Sequence, residues 1–167
     1  MKIETIIRKL EKHRLKEIDA DRGPSDEEVR FFNGRVRCSG TAIMYVPHTE
    51  NYEAMLGQLR SKDVVCDMGA GDLRFALLAS MKCQKVYAIE LNPCTIGNAL
   101  TTIGYNMPHN LIVMCGDWND IIIPRDTTVI TVMVNGAEIP KWWKKAGRRI
   151  YVGTTGNNGG KIERLKL

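Results

Sequence analysis

From the first residues the hydrophobic positions keep a helical period. Ile3, Ile6, Ile7 and Leu10 recur at spacings of one, three and four, and the stripe runs through Leu15 and Ile18 before "RGPS" ends it. An amphipathic opening helix is predicted there. Ser25 with Glu28 three residues on has the form of a capping box, so "SDEEVRFFNG" is expected to make a second short helix closed by Asn33 and Gly34. "RVRCSGTAIMYVP" then alternates loosely as an extended segment, and "TENYEAMLGQLR" returns to the helical period. From Asp63 the rhythm changes. "DVVCD", "KVYAIE", "LIVMC", "TVITVMV" and "RIYVGTT" are short runs rich in β-branched residues, and the first four are separated by segments long enough for helices or crossovers. That alternation predicts an α/β fold: a mostly parallel sheet with helices on both faces, in three layers.

Length and composition narrow the class without changing this picture. A chain of 167 residues fits one globular domain with a sizeable core. Hydrophobic residues at 44% and charged residues at 26% are ordinary for a globular protein, which argues against a disordered or fibrous chain. The five cysteines are odd in number, form no CxxC pair and mostly sit in apolar runs, so they are expected to be reduced, in a cytoplasmic protein. Charges interrupt the hydrophobics of "MKIETIIRKLEKHRLKEIDADR" every few residues, so it reads as neither signal peptide nor membrane span, and no membrane partner is expected. The formal charge of +5 favours acidic partners such as RNA without requiring one.

The chemistry concentrates in "VVCDMGAGDLRFALLA", residues 64–79. A glycine-rich loop between a buried strand and a helix is expected to put unpaired backbone amides and the positive helix end beside a ligand. Gly69 and Gly71 would let that ligand approach with no Cβ in the way, and Asp67 stands where the strand meets the loop. Glu90 ends the next strand nineteen residues after Gly71, where a carboxylate can accept hydrogen bonds from both hydroxyls of a ribose. A dinucleotide site usually continues as GxGxxG, but here Gly71 is followed by Asp72, Leu73 and Arg74, so no pyrophosphate slot is evident. After the third strand comes "GDW". Asp117 offers an acceptor for an adenine amino group and Trp118 a face for ring stacking, a combination that suits S-adenosylmethionine.

"DMGAGD", "AIELNP" and "GDW" resemble the first three motifs of class I, seven-strand, Rossmann-like S-adenosylmethionine-dependent methyltransferases, over roughly residues 44–135. The resemblance implies cofactor contacts from Asp67, Gly69, Ala70, Gly71, Glu90, Leu91, Asp117 and Trp118. It also implies a division into an N-terminal helical extension and lead-in, residues 1–58, and a methyltransferase core, residues 59–167. "YVPHTENYEAML" before the first strand, with "GAGDLRFALLA" and "IELNP", is similar to the small archaeal protein lysine methyltransferases and their mitochondrial relatives, whereas "KVYAIELNP" is also similar to archaeal tRNA guanine methyltransferases. The chain departs from the pattern in three places. Leucine stands at position 73 where the loop usually has glycine, and is expected to narrow the methionine end of the pocket. "VNGAEIP" replaces the Asn-Pro-Pro-aromatic tetrad of enzymes that methylate exocyclic base nitrogens, leaving only Asn135 in common. Thirty-two residues follow Asn135, fewer than a full seven-strand core needs, so the C-terminus is expected to be shortened, or its last helix and strand supplied by a second copy in a homodimer or by a partner subunit.

Methyl transfer from a sulfonium asks mainly for alignment and for a deprotonated nucleophile, so no metal is expected. The candidate positioners are Tyr45, Asn135 and Glu138, with a carboxylate or a tyrosine oxygen able to orient an amine and relay its proton to water. The leading expected substrate is a protein lysine. An RNA base is the alternative, and a non-catalytic cofactor-binding subunit is a third reading. In "KWWKKAGRR", residues 141–149, basic residues and tryptophans could hold RNA, but a helix with its tryptophans on the sheet and its lysines in water is favoured.

Overall fold

The computed structural model describes residues 2–19, 49–133, 139–144, 148–154 and 161–165. Along the chain run α1 (Ile3–Asp19), α2 (Thr49–Gln58), β1 (Val64–Met68), α3 (Arg74–Ser80), β2 (Lys85–Glu90), α4 (Pro93–Ile103), a 3-10 turn (Gly104–Asn106), β3 (Leu111–Cys115), β4 (Val129–Val132), α5 (Lys141–Lys144), β5 (Arg149–Thr154) and β6 (Lys161–Leu165). The opening helix, the helix before the first strand and all five expected strands are present. The expected helix at "SDEEVRFFNG", the extended "RVRCSGTAIMYVP" and the candidates Tyr45, Asn135 and Glu138 lie outside the described residues. No helix among the described residues is long and apolar enough to cross a membrane.

The six strands form one sheet in the order β3-β2-β1-β4-β5-β6. The first five are parallel, and β6 runs antiparallel to β5. This is a Rossmann-like α/β architecture. Strand alternation divides the core in two. Val65, Val86, Ala88, Leu111, Val129 and Tyr151 face one side, where Ile6 and Leu10 of α1, Tyr52 and Met55 of α2, Phe75 and Leu77 of α3, and Ala99 and Ile103 of α4 cover them. The two N-terminal helices therefore belong to the same core as the sheet. On the opposite face Cys66, Met68, Ile89, Ile130, Val132 and Ile150 pack under Ile123 and Trp143, with Trp118, Ile121 and Ile139 at the margin. Helices thus lie on both faces, although the only one described on the second face is the four-residue α5.

Sheet order changes direction at β1, which pairs with β2 on one side and β4 on the other. At such a switch point the connections leave in opposite directions and open a crevice beyond the strands' carboxyl ends. The glycine loop after β1 borders it.

Candidate functional site

Three strand ends are tied together at this crevice by backbone amides. Gly69 N and Ala70 N both donate to Ile89 O, at 2.8 and 2.9 Å. Gly71 N donates to Glu90 Oε2 at 2.8 Å. Asn92 N donates to Glu90 Oε1 at 2.8 Å, and Gly116 N, after β3, donates to Glu90 O at 3.0 Å. The expectation of unpaired loop amides facing a ligand is corrected by this arrangement. Three successive N–H groups grip the end of β2, so these amides are not free to receive a phosphate.

The glycines are required by conformation more than by crowding. Gly69 has φ 74 and Gly71 φ 55, and a Cβ on Gly71 would meet nothing within 4 Å. In the left-handed region a side chain is strained whatever the space around it. Leu73 shares that region, with φ 66, but its side chain is fully buried in the first core cluster. It therefore fills the core, where a role in narrowing the pocket was expected.

Each oxygen of Glu90 accepts one backbone N–H, and a carboxylate oxygen retains further acceptor capacity. The backbone amides fix the plane of the carboxylate, and Asn92 both supplies one of them and caps α4 by accepting from Cys94 N and Thr95 N. Asp67 lies deeper, 1% exposed, on the same face as Thr131 of β4. Its Oδ1 accepts the Thr131 hydroxyl at 2.9 Å, while Oδ2 is buried with no partner among the described residues. Burial, opposed by the Thr131 hydrogen bond and assisted by the nearby Glu90 charge, pushes its carboxyl up to about 7. Neither carboxylate has a cation partner among the described residues, which suits this end of the crevice to a positively charged group.

The "GDW" residues divide between structure and site. Asp117 Oδ1 accepts from Asn119 N at 2.8 Å and Asn119 Nδ2 at 2.9 Å, closing the turn after β3, which leaves Oδ2 as the available acceptor. Trp118 packs edge-on to the buried Trp143, with ring centroids 6.1 Å apart. Leu91, 37% exposed, and Ala70, 8% exposed, flank the loop ends. The structure thus brings Asp67, Gly69, Ala70, Gly71, Glu90, Leu91, Asp117 and Trp118 to adjacent strand ends.

The run "KWWKKAGRR" breaks up as a surface. Trp143 is fully buried and Trp142 40% exposed. Arg148 Nε donates to Thr127 O at 3.2 Å, and Arg149 is ion-paired with the buried Asp63 at the opposite end of the sheet from the crevice. Sequence reasoning missed Thr131, Asn92 and Arg74 as parts of the site or its supports, whereas Trp143 was expected to pack on the sheet and does. The signal for Arg74 was a lone charge inside the apolar "DLRFALLA".

No protein-family model matches the chain. An uncharacterized protein of Methanocaldococcus jannaschii is 44% identical over 55 residues, which is 33% of this chain, and the chain spans 21% of that protein's length. Among solved structures, the YcgJ protein of Bacillus subtilis superimposes with a TM-score of 0.54 at 18% identity, over 64% of this chain and 51% of that one. Phosphoethanolamine N-methyltransferase 1 of Haemonchus contortus, solved with phosphoethanolamine and S-adenosylhomocysteine, gives 0.55 at 12% identity, over 95% of this chain and 34% of that one. At these identities the likeness is one of fold.

Proposed function

We propose that the chain binds S-adenosylmethionine at the crevice above β1, β2 and β3 and transfers its methyl group to a protein lysine. The observation that carries the cofactor reading is the occupied glycine loop. With Gly69, Ala70 and Gly71 amides already bonded to Ile89 O and Glu90, a pyrophosphate loses these three donors, whereas a cationic nucleoside finds Glu90 for its ribose and Asp67 for its positive end. Leu91, Ala70, Asp117 Oδ2 and the flank of Trp118 would hold the adenine. When bound, the cofactor supplies a methyl carbon on a sulfonium sulfur. The protein's share is then to align the acceptor in line with that carbon and to take its proton. For this we assign Tyr45, Asn135 and Glu138.

Lysine is favoured over an RNA base because the chain's most basic stretch is partly consumed internally: Arg148 and Arg149 hold Thr127 and Asp63, and Trp143 fills the core. "VNGAEIP" also lacks the prolines and aromatic ring that shape a slot for a flat base. Calorimetry tests the cofactor. S-adenosylhomocysteine should bind, a nicotinamide dinucleotide should not, and Glu90→Ala should weaken binding by about 1.5–3 kcal/mol through loss of a charged hydrogen-bond acceptor. The acceptor is tested by incubating methyl-labelled cofactor with the protein and cell extract. Label that protease removes and ribonuclease spares supports lysine. The reverse selects RNA, and cofactor binding without any label selects the non-catalytic subunit.

A further inference from the structure

Arg74 opens α3 but is only 3% exposed. A cation in the first turn opposes the helix dipole, and its burial adds a desolvation penalty, so its surroundings must compensate. Arg74 Nε donates to Asp72 Oδ2 at 2.7 Å, and the Arg74 backbone N donates to Asp72 Oδ1 at 3.3 Å. Both oxygens of Asp72 are therefore held by the residue two positions on, in a closed ring around Leu73. From α2, the ring of Tyr52 lies 5.6 Å from the guanidinium carbon. From α1, Glu11 Oε1 lies 3.9 Å from Arg74 Nη1. The enclosed Leu73 is the one non-glycine residue with positive φ among those described.

We infer that the Asp72–Arg74 pair, braced by Tyr52 and Glu11, is a clamp that holds Leu73 left-handed, making Arg74 a positioning residue that couples the N-terminal helices to the cofactor loop. The coupling to ligand rests on the cofactor reading above. Leucine disfavours the left-handed region, where its Cβ crowds the carbonyl that follows, so the conformation needs an external hold. Releasing it would turn the peptides on either side of Leu73. Leu73 N donates to Ala70 O at 3.0 Å and Leu77 N donates to Leu73 O at 2.9 Å, so the same turn would loosen both the loop and the first turn of α3. Gly71, whose amide fixes Glu90, lies inside that loop. Because the apparent dissociation constant is the intrinsic one divided by the fraction of protein with a competent loop, the clamp acts on binding without touching the ligand.

The test measures S-adenosylhomocysteine affinity and loop amide exchange in the full chain for Arg74→Met, Arg74→Lys, Asp72→Asn and the Asp72→Asn/Arg74→Met pair. Arg74→Met should weaken binding about five- to thirtyfold, the population ratio that disfavours the left-handed region for a non-glycine residue. Arg74→Lys should recover part of the loss, and the double variant should lose no more than the worse single one. In ligand-free protein, the amides of Gly71 and Leu73 should exchange faster in each variant. Unchanged exchange with unchanged affinity overturns the clamp, and so does additive loss in the double variant. If Arg74→Met fails to fold, Asp72→Asn, which leaves the Arg74 side chain in place, decides the matter by the same two readouts. Wild-type protein that binds no S-adenosylhomocysteine overturns the cofactor reading alone, and amide exchange still decides the clamp.

Discussion

A buried carboxylate oxygen with no partner leaves a mark on stability. Asp67 has an ordinary value of 3.8 and stands at about 7 in the folded protein. Between those values the native state keeps a proton that the unfolded chain has released, so this group's contribution makes stability fall as pH rises from about 4 to about 7, with no further change above. The expected loss is a few kcal/mol at most. Asp67→Asn keeps an acceptor for Thr131 and removes the ionisation, so its urea midpoint should vary less across that window, and a cationic ligand should flatten the wild-type profile in the same way. If wild type and Asp67→Asn show the same pH dependence, the assignment fails. At this scale the sequence was legible where a residue acts through its immediate neighbours: Glu90, Gly69 and Gly71 announce themselves by spacing and by residue type. It was illegible where action depends on a partner far along the chain. Thr131, sixty-four residues from Asp67, reads as one more β-branched strand residue. Leu73 reads as a plain departure from glycine because its side chain's destination is a core that periodicity alone does not locate.

Elements were legible in proportion to their hydrophobic contrast. The five parallel strands are short runs rich in β-branched residues, and α1 carries an unbroken apolar stripe. β6 was missed because "KIERL" has only Ile162 and Leu165 to show, which pack against opposite faces of the sheet, and its strand character comes from pairing with β5. "TGNNGG", between the two strands, was the available turn signal. α5 was expected to carry both tryptophans onto the sheet, but only Trp143 lies fully within it, in edge contact with both Trp118 and Trp142. This arrangement gives Trp118 a structural duty that can be separated from adenine stacking. Trp118→Ala should lower stability by about 1–3 kcal/mol, less than for a fully buried ring, whereas Trp118→Phe should retain most of it. Chemical denaturation checks this. If Trp118→Ala keeps full stability and loses only cofactor affinity, its ring serves the ligand alone.

For the whole molecule, net charge is a poor guide to partners because part of the charge is committed to the fold. The chain carries 24 lysines and arginines against 19 acids, an excess that by itself suggests nucleic acid. Arg149, however, spans from β5 to Asp63 just before β1, where Asp63 is 3% exposed and also accepts Arg60 N at 2.7 Å. Removing the cation leaves a buried carboxylate without its counter-charge, so Arg149→Ala should destabilise the protein by about 3–5 kcal/mol. Lys141 is exposed and makes no ion pair among the described residues, so Lys141→Glu should change stability by no more than about 0.5 kcal/mol. An RNA-binding surface predicts a different pattern. Each phosphate contact would contribute roughly −0.7 to the slope of log affinity against log salt for a single strand, and Lys141→Glu would weaken binding while Arg149→Ala acted through the same term. Measured together, urea midpoints and the salt dependence of binding to a single-stranded RNA separate the two. Strong destabilisation at Arg149 with a flat salt response at Lys141 fits a protein whose basic run is largely structural, and a steep salt slope lost in both variants would restore RNA as the acceptor.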